Sequence, residues 1–299
     1  MRGMGVFAAV LAVLLAVGTF ADYQIAQAVY APGNPLVIFI STLGLFPMAY
    51  PGCFLLGVLA QRSLASQKSQ VLRVAGAVVC VSLAVLFGAL ITRAVLSVLE
   101  GFGGMVGQEL PKTIRMVIGG VIGVALCALG FKAGKENDAA DLARRVLLVV
   151  VVLVVSFVAV EIVKIFMARP RPRLLFAGHE GIEFSPWYRK FSGAEEFMTN
   201  LGIEKDAFKS FPSGHSLQAA SVLVSFYGLS IVYPGLRQKL GIALAVEIVF
   251  ALVVMACRMI LGAHFLSDVS MGALVSVVAF FVLMALQRRE SEGSPVSTR

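Results

Sequence analysis

Apolar residues run through this chain in long stretches that are separated by short polar segments. Eight stretches each have about 20 residues, the length that an α-helix needs to cross a bilayer. They span residues 5–27, 36–60, 71–97, 114–131, 146–166, 214–233, 240–260 and 266–286. The pattern predicts an all-α, polytopic transmembrane bundle. The first and fourth stretches give the weakest signals, so the prediction is six to eight spans, with eight preferred.

The first stretch has two interpretations. Arg2, the apolar run and the tripeptide at 26–28 (Ala-Gln-Ala) are typical of a secretory signal sequence with its cleavage site. The apolar run is longer than a usual signal core, which favours a retained helix. In the fourth stretch, Gly119 and Gly123 either loosen the helix or let it pack closely against another, the commoner use of glycine in membranes.

Composition supports a membrane protein. Of 299 residues, 59% are hydrophobic and 14% charged, with a mean hydropathy of +0.89, whereas about a quarter of a soluble domain is charged. The net charge of +8 comes from cations in short loops between apolar stretches, which indicates membrane topology rather than a nucleic-acid partner.

The four cysteines lie in or at the ends of predicted helices without metal-ligand spacing, so we expect free thiols.

Three polar clusters interrupt the second half of the chain. Lys164 and Arg171-Pro172 lie at the exit of the fifth predicted helix, and residues 212–215 (Pro-Ser-Gly-His) open the sixth. The third cluster, residues 258–268, joins the seventh helix to the eighth. Because the sixth and seventh helices cross and return, all three clusters must lie on the same membrane face.

Basic residues orient that face. The loops on the opposite side are rich in Lys and Arg, whereas the cluster-side loops 29–35 and 98–115 hold few. Cytoplasmic loops carry the excess of cations, so we expect the clusters to face away from the cytoplasm, in the cell membrane. The loop at 167–213 is basic as well, which fits this orientation if its cations serve the substrate.

The cluster residues suit phosphate chemistry. A transferring phosphoryl group spreads charge over several oxygens, and fixed donors must converge on them. Arg171 and Arg258 provide planar forks, and Lys164 a point charge. Gly214 lets the backbone approach an anion at a helix start, where Ser213 adds a hydroxyl or caps the helix. These residues predict a cradle for phosphate without a metal or other cofactor.

The two histidines of the clusters are the candidate reactive groups. His264 and Asp268 are four residues apart, so on one helix the carboxylate would hold an imidazole N–H and leave the other nitrogen free to attack phosphorus. His215, on another segment, would protonate the leaving oxygen and then activate water. On spacing alone, the roles of the two histidines are exchangeable.

These residues carry a family resemblance. Three segments resemble the three-part signature of the type 2 phosphatidic acid phosphatase (PAP2) superfamily: Lys164-x6-Arg171-Pro172, the Pro-Ser-Gly-His motif at 212–215, and Cys257 together with the third cluster, 258–268. The resemblance covers about residues 146–287. It implies a helical core and removal of phosphate from lipid phosphates or isoprenoid diphosphates through a phosphohistidine, with His264 as nucleophile. Cys257 departs from the family's usual serine and offers a weaker donor to phosphate.

The domain organisation follows from these clusters. Residues 1–145 form amino-terminal transmembrane helices, 146–287 a PAP2-like catalytic core with its extracytoplasmic loop at 167–213, and 288–299 a polar, disordered tail. Within the loop, the aromatic and basic stretch at 174–210 is either a lid or headgroup platform or a simple interfacial anchor.

Four further charged residues have open or structural interpretations. Arg169 and Arg173 either bind substrate or face lipid headgroups. Glu161, one turn before Lys164, is expected to pair with that lysine. Glu247 lies deep in the seventh helix, where an ionisable group indicates function or a paired interior; the sequence names no partner for it.

The predicted function is an integral-membrane phosphatase whose partners are a lipid phosphate substrate and the bilayer. Two alternatives remain: a phosphotransferase that passes the phosphoryl group to another acceptor, and a non-catalytic protein that binds or transports lipid phosphate. The presence of all six residues Lys164, Arg171, His215, Arg258, His264 and Asp268 disfavours the non-catalytic alternative. The sequence distinguishes neither the substrate lipid nor the oligomeric state.

Overall fold

The computed structural model describes residues 2–101 and 110–292. The regular secondary structure of these residues is entirely helical, with no strand. The helices are α1 (Arg2–Val29), α2 (Pro35–Leu43), α3 (Phe46–Ala65), α4 (Gln70–Gly101), α5 (Lys112–Lys135), α6 (Leu142–Met167), α7 (Pro172–Phe176), α8 (Ala194–Leu201), α9 (Gly214–Ala219), α10 (Val222–Val232), α11 (Leu240–Ile260) and α12 (Leu266–Glu292). Two 3₁₀ helices, Lys205–Phe208 and Pro234–Lys239, precede α9 and α11.

Eight helical segments of the described residues are long and apolar enough to cross a membrane, which confirms the prediction of eight spans. They are Arg2–Val29, Pro35–Ala65, Gln70–Leu99, Lys112–Lys135, Leu142–Phe176, Gly214–Val232, Pro234–Ile260 and Leu266–Arg288. Apolar side chains cover their outer faces: Val71, Val78 and Val79 of α4 are each more than half exposed. Lipid covers such faces in a bilayer.

Two spans are broken in the middle. The second span divides at Gly44 and Leu45, whose N–H groups bond back to Ser41 and Thr42 carbonyls. The sixth span divides between α9 and α10. In the hydrocarbon region each freed backbone group needs an internal partner, because no water replaces it.

Glu247 supplies such a partner at the second break. Its Oε2 accepts the N–H of Leu223, in the first turn of α10, at 2.5 Å. The glutamate is fully buried on α11, and its Oε1 has no hydrogen-bond partner among the described residues. The structure therefore gives this intramembrane carboxyl a role at the start of α10.

Glycines let the amino-terminal helices pack with their backbones in close approach. A Cβ at Gly119 would lie 2.2 Å from the Gly88 carbonyl oxygen, and one at Gly123 would lie 2.3 Å from that of Ala84. Such contacts are impossible for any side chain. The fourth span is therefore a regular helix whose glycines serve packing, one of the two interpretations of its sequence.

Helix α1 packs along α12. A Cβ at Gly18 would meet the Ser267 N–H nitrogen at 2.7 Å, so the two backbones touch at the start of α12. Retention of this helix in the mature protein stays a prediction.

At the other terminus the structure differs from the prediction. Helix α12 continues to Glu292, beyond the predicted start of the tail at 288, because nothing in 287–292 breaks a helix. Residues 293–299 lie outside the described residues. The four cysteines are free thiols, as expected.

Candidate active site

The three polar clusters meet at one end of the bundle. This agrees with the prediction from the sixth and seventh helices, which cross the membrane and return. A Cβ at Gly214 would lie 2.7 Å from Lys164 Nζ, which joins the first and second clusters. Arg171 Nη1 donates to the Ala263 carbonyl at 2.9 Å, which joins the first and third. The Ser213 N–H donates to the Asp268 carbonyl at 2.9 Å, which joins the second and third.

The chain reverses sharply after α6 and so brings its first cluster into the site. Ala168 ends the helix in the left-handed conformation, with φ of 45°. Pro170 and Pro172 then prevent another helical turn before α7. The extended segment is fixed by the Arg171 N–H, which donates to the Ala207 carbonyl at 2.9 Å, and by the Ser210 N–H, which donates to the Arg169 carbonyl at 3.0 Å.

Arg171 lies at the centre of the site and is only 6% exposed. Its Nη2 pairs with the Asp206 carboxylate at 3.0 Å, and its Nε donates to the Asp206 carbonyl at 2.8 Å. Its Nη1 faces Nε2 of His264 at 3.3 Å. Asp206 thus fixes the guanidinium against the imidazole. No sequence motif pointed to Asp206, which is one of six acidic residues in the loop at 167–213.

The hydrogen bonds of His264 assign its tautomer. Nδ1 lies 2.6 Å from the Ser210 carbonyl oxygen, which only accepts, so Nδ1 carries the proton. Nε2 then keeps its lone pair and accepts from Arg171. Burial, together with the charges of Arg171 and Arg258, holds the pKa of His264 well below its usual 6.5. The imidazole is therefore neutral, with its lone pair on Nε2, which faces Arg171.

The predicted bond between His264 and Asp268 is wrong. Their closest Nδ1 to Oδ2 distance is 3.9 Å, and His264 precedes α12 rather than lying on it, so the two do not share a helical face. Asp268 instead accepts from Ser210 Oγ at 2.5 Å and from the Phe265 N–H at 2.8 Å. The carboxylate acts on His264 through Ser210, which no sequence motif singled out.

His215 is the second residue of α9, at the helix start that the motif predicted. Ser213 caps this helix: its Oγ accepts the Ser216 N–H at 3.3 Å. Nε2 of His215 is buried without a hydrogen-bond partner among the described residues. A buried nitrogen in this state is ready to bond a substrate oxygen.

Lys164 lies on the wall beside Gly214. Its ammonium pairs with Glu161 at 2.5 Å, as predicted, and the lysine side chain is 11% exposed. Glycine at 214 leaves the space that the ammonium occupies. Lys164 also borders a cleft of about 730 Å³ between the end of α6 and the loop, whose helix α8 lines part of it.

Arg258 is hydrogen-bonded to a residue from the amino-terminal half of the chain. Its Nη1 donates to Ser41 Oγ, at the break of the second span, at 3.0 Å. Its buried Nε has no hydrogen-bond partner among the described residues. The neighbouring Cys257 is buried as well. Ser41 supplies Arg258 with a hydroxyl partner.

Arg169 does not serve either predicted purpose. It is fully buried, where it pairs with Asp22 at 2.9 Å and with Asp268 at 2.5 Å. It therefore contacts neither substrate nor headgroups. Arg173 lies 3.6 Å from Asp206, half-buried at the edge of the site.

The loop at 167–213 is an ordered layer over the site. The loop has a small hydrophobic core, in which Phe208 is buried with Leu174 and Ile182. Trp187 stacks on Phe211 with ring centroids 5.4 Å apart, and its indole N–H donates to Thr19 of α1 at 2.9 Å. These contacts fix the segment next to the second cluster. Its role as a lid or headgroup platform, or as an interfacial anchor, stays a prediction.

The fold and the site define a class: an integral-membrane helical protein with histidines and cations gathered at one end of the helical bundle. Residues 145–292 match the family model of the PAP2 superfamily. This part of the chain, which holds all three clusters, belongs to that superfamily. Membership indicates phosphatase activity on a membrane-associated substrate. No curated protein and no solved structure matches the chain in the other two comparisons.

Proposed function

We propose that the protein removes phosphate from a lipid phosphate or an isoprenoid diphosphate through a phosphohistidine intermediate. The observation that supports this most strongly is the state of His264. Its Nδ1 proton points to the Ser210 carbonyl at 2.6 Å, and its Nε2 lone pair faces Arg171. A neutral imidazole in this tautomer, among cations that attract phosphate, is an activated nucleophile.

The attack follows from these contacts. Phosphate oxygens entering the site take the donors of Arg171, and so free the Nε2 lone pair of His264. Lys164, Arg258 and the N–H groups at the start of α9 provide further positive partners. Nε2 then forms a bond to phosphorus while the bond from phosphorus to the leaving oxygen breaks.

His215 is the proposed general acid and base. In its protonated form the buried imidazole gives a proton to the leaving oxygen, which departs as the alcohol or as the shortened lipid. The neutral ring then takes a proton from water, which attacks the phosphohistidine and releases inorganic phosphate. No hydrogen bond among the described residues occupies His215 Nε2, which supports this role.

The proposed catalytic and binding residues are those of the sequence motifs, with Asp268 placed behind Ser210. Asp268 is a positioning residue because it holds the serine whose carbonyl holds His264. We also propose that the site faces away from the cytoplasm, since the loops on the other side carry the excess of basic residues. The described residues contain no group of three or more His, Cys, Asp or Glu that would bind a metal ion; metal-independent hydrolysis stays a prediction.

The test is a comparison of His264→Ala with the control His179→Ala. His179 is the third histidine, exposed in the loop outside the site. Purified proteins are given a panel of lipid phosphates and isoprenoid diphosphates in detergent. Phosphate release is measured, together with phosphoprotein that is stable in base and labile in acid, as a phosphohistidine is. We expect His264→Ala to lose turnover and phosphoprotein together, while His179→Ala keeps both. Activity in folded His264→Ala at the wild-type level would refute the mechanism.

The same assay separates the phosphotransferase alternative. Transfer to an added alcohol or lipid in preference to water would identify an acceptor. Release of phosphate to water at the full rate of leaving-group formation would identify a phosphatase.

A further inference from the structure

The buried ion network behind the site begins outside the segment that matches the superfamily. Asp22, on α1, is 2% exposed, and Arg169 and Asp268 are fully buried. Asp22 Oδ2 pairs with Arg169 Nη2 at 2.9 Å, and Asp268 Oδ1 pairs with Arg169 Nη1 at 2.5 Å. Asp22 Oδ1 also accepts the Ser267 N–H at 2.9 Å, at the start of α12. One guanidinium thus lies between two carboxylates from opposite ends of the chain.

The charges of this triad do not cancel. Two carboxylates and one guanidinium leave a single negative charge, in a place that water does not reach. Without Asp22, Arg169 would neutralise Asp268 completely, because a buried arginine remains protonated. With Asp22 present, the Asp268 carboxylate keeps negative charge for its other side, where Ser210 Oγ donates to Oδ2 at 2.5 Å.

That negative charge lies next to the nucleophile. Asp268 Oδ2 is 3.9 Å from His264 Nδ1, and Ser210 bridges the two groups. When Nε2 becomes bonded to phosphorus while Nδ1 keeps its proton, the ring acquires positive character. A nearby anion stabilises this state, and a neutralised one does not.

The other charged groups around His264 make the negative charge of Asp268 more important for stabilising a positively charged imidazole. Those that interact with its imidazole are mostly positive or neutral: Lys164, Arg171, His215 and Arg258. Asp206 is negative, but it already pairs with Arg171 and Arg173. The triad places a negative charge on the Nδ1 side of the ring, 3.9 Å from that nitrogen.

We propose that Asp22 is a positioning residue for catalysis: by compensating Arg169 it leaves Asp268 charged for Ser210 and His264. The amino-terminal helix would then complete the electrostatics of the active site from outside the superfamily segment. This inference rests on the proposed phosphohistidine function.

The first experiment is Asp22→Asn, which keeps the shape and one acceptor but removes the charge. We expect kcat to fall about tenfold to a hundredfold, the range for a disturbed catalytic geometry, with KM changed less than about threefold. His264 must be neutral to attack, so activity falls as pH drops through its pKa. Loss of a negative neighbour lowers that pKa further, so the acid limb of kcat/KM should move to lower pH.

The control is Gln24→Ala, on the same helix as Asp22, where the side chain is exposed. It leaves both the ion triad and the hydrogen bond from Trp187 to Thr19 intact. We expect kcat and the acid limb to stay at their wild-type values. A loss like that of Asp22→Asn would show that any disturbance of α1 acts on the site.

The double variant Asp22→Asn with Arg169→Gln distinguishes charge from structure. It removes one negative and one positive charge, so Asp268 again keeps its own charge. We expect kcat to recover at least about tenfold over Asp22→Asn wherever that single variant loses more than that, and the acid limb to return towards the wild-type pH. If Asp22→Asn does not fold, the double variant decides alone, and it should turn over within about tenfold of wild type.

The outcomes separate the inference from the function on which it rests. If the wild type releases phosphate from no lipid of the panel, the proposed function fails. If His264→Ala is inactive but Asp22→Asn has the wild-type kcat and acid limb, the role of Asp22 fails. A double variant that does not fold, or that is folded and inactive, also overturns the role of Asp22.

Discussion

Gly214 is the position where a single methyl group should separate folding from activity. A Cβ there would lie 2.7 Å from Lys164 Nζ, 3.6 Å from Glu161 Oε1 and 3.8 Å from Lys164 Cε. No backbone atom is among these neighbours. In Gly214→Ala the ammonium must retreat by about 0.7 Å to reach the 3.4 Å of an ordinary contact, and the flexible lysine can do so.

The expected changes in stability and in rate depend on which group moves. The fold should lose little, because alanine at the start of α9 restricts the unfolded chain and favours helix by up to about 1 kcal/mol. The site should lose much more, since a shift of this size in a phosphate-binding charge costs on the order of 10- to 100-fold in rate. This corresponds to about 1.4 to 2.8 kcal/mol of transition-state stabilisation.

The assay is kcat/KM for phosphate release in detergent, with thermal unfolding of the same samples. Gly241→Ala is the matched control, since Gly241 is also in the first turn of a helix, α11, and a Cβ there would meet nothing within 4 Å. We expect Gly241→Ala to keep wild-type activity and both variants to unfold at or slightly above the wild-type temperature.

Two results would refute the reasoning. Wild-type kcat/KM in Gly214→Ala would mean that Lys164 does not contact the phosphate from its present position. A large fall in unfolding temperature would mean that the methyl group meets rigid structure instead of a mobile ammonium.

Two further predictions concern α11. Cys257→Ser should leave activity unchanged or raise it by about fivefold or less, because a hydroxyl near the phosphate adds one neutral hydrogen bond of about 1 kcal/mol; a large loss in a folded variant would give the thiol its own role. Glu247→Gln should keep an acceptor for the Leu223 N–H, whereas Glu247→Leu should cost about 1 to 3 kcal/mol of stability through the unpaired buried donor. Equal unfolding temperatures of the two Glu247 variants in detergent would contradict this role for the carboxyl.

Several site features were predictable because they depend on local sequence. A run of about 20 apolar residues satisfies its backbone only as a helix in lipid, so the eight spans followed from length and hydropathy. The number of crossings then required the clusters containing Lys164, His215 and His264 to share one face. Gly214 at a helix start and Glu161 one turn before Lys164 likewise followed from short spacings.

The partners of His264 did not follow from spacing. A separation of four residues brings two side chains together only if both lie on one helix, and His264 lies in the turn before α12 begins. The nearest acceptor is instead the Ser210 carbonyl, 54 residues away in sequence. Backbone carbonyls have no signature in sequence, because every residue has one.

The amino-terminal helices show the same division. Hydropathy identified them as spans but assigned them no contact with the site. Tertiary packing decided that Asp22 would compensate Arg169 from 147 residues away and that Ser41 would reach Arg258 across 217 residues. A buried charge must find its partner within the folded protein, and which partner it finds depends on how the helices pack. Local sequence thus identified the candidate residues for the chemistry, while long-range packing determined which groups hold them in place.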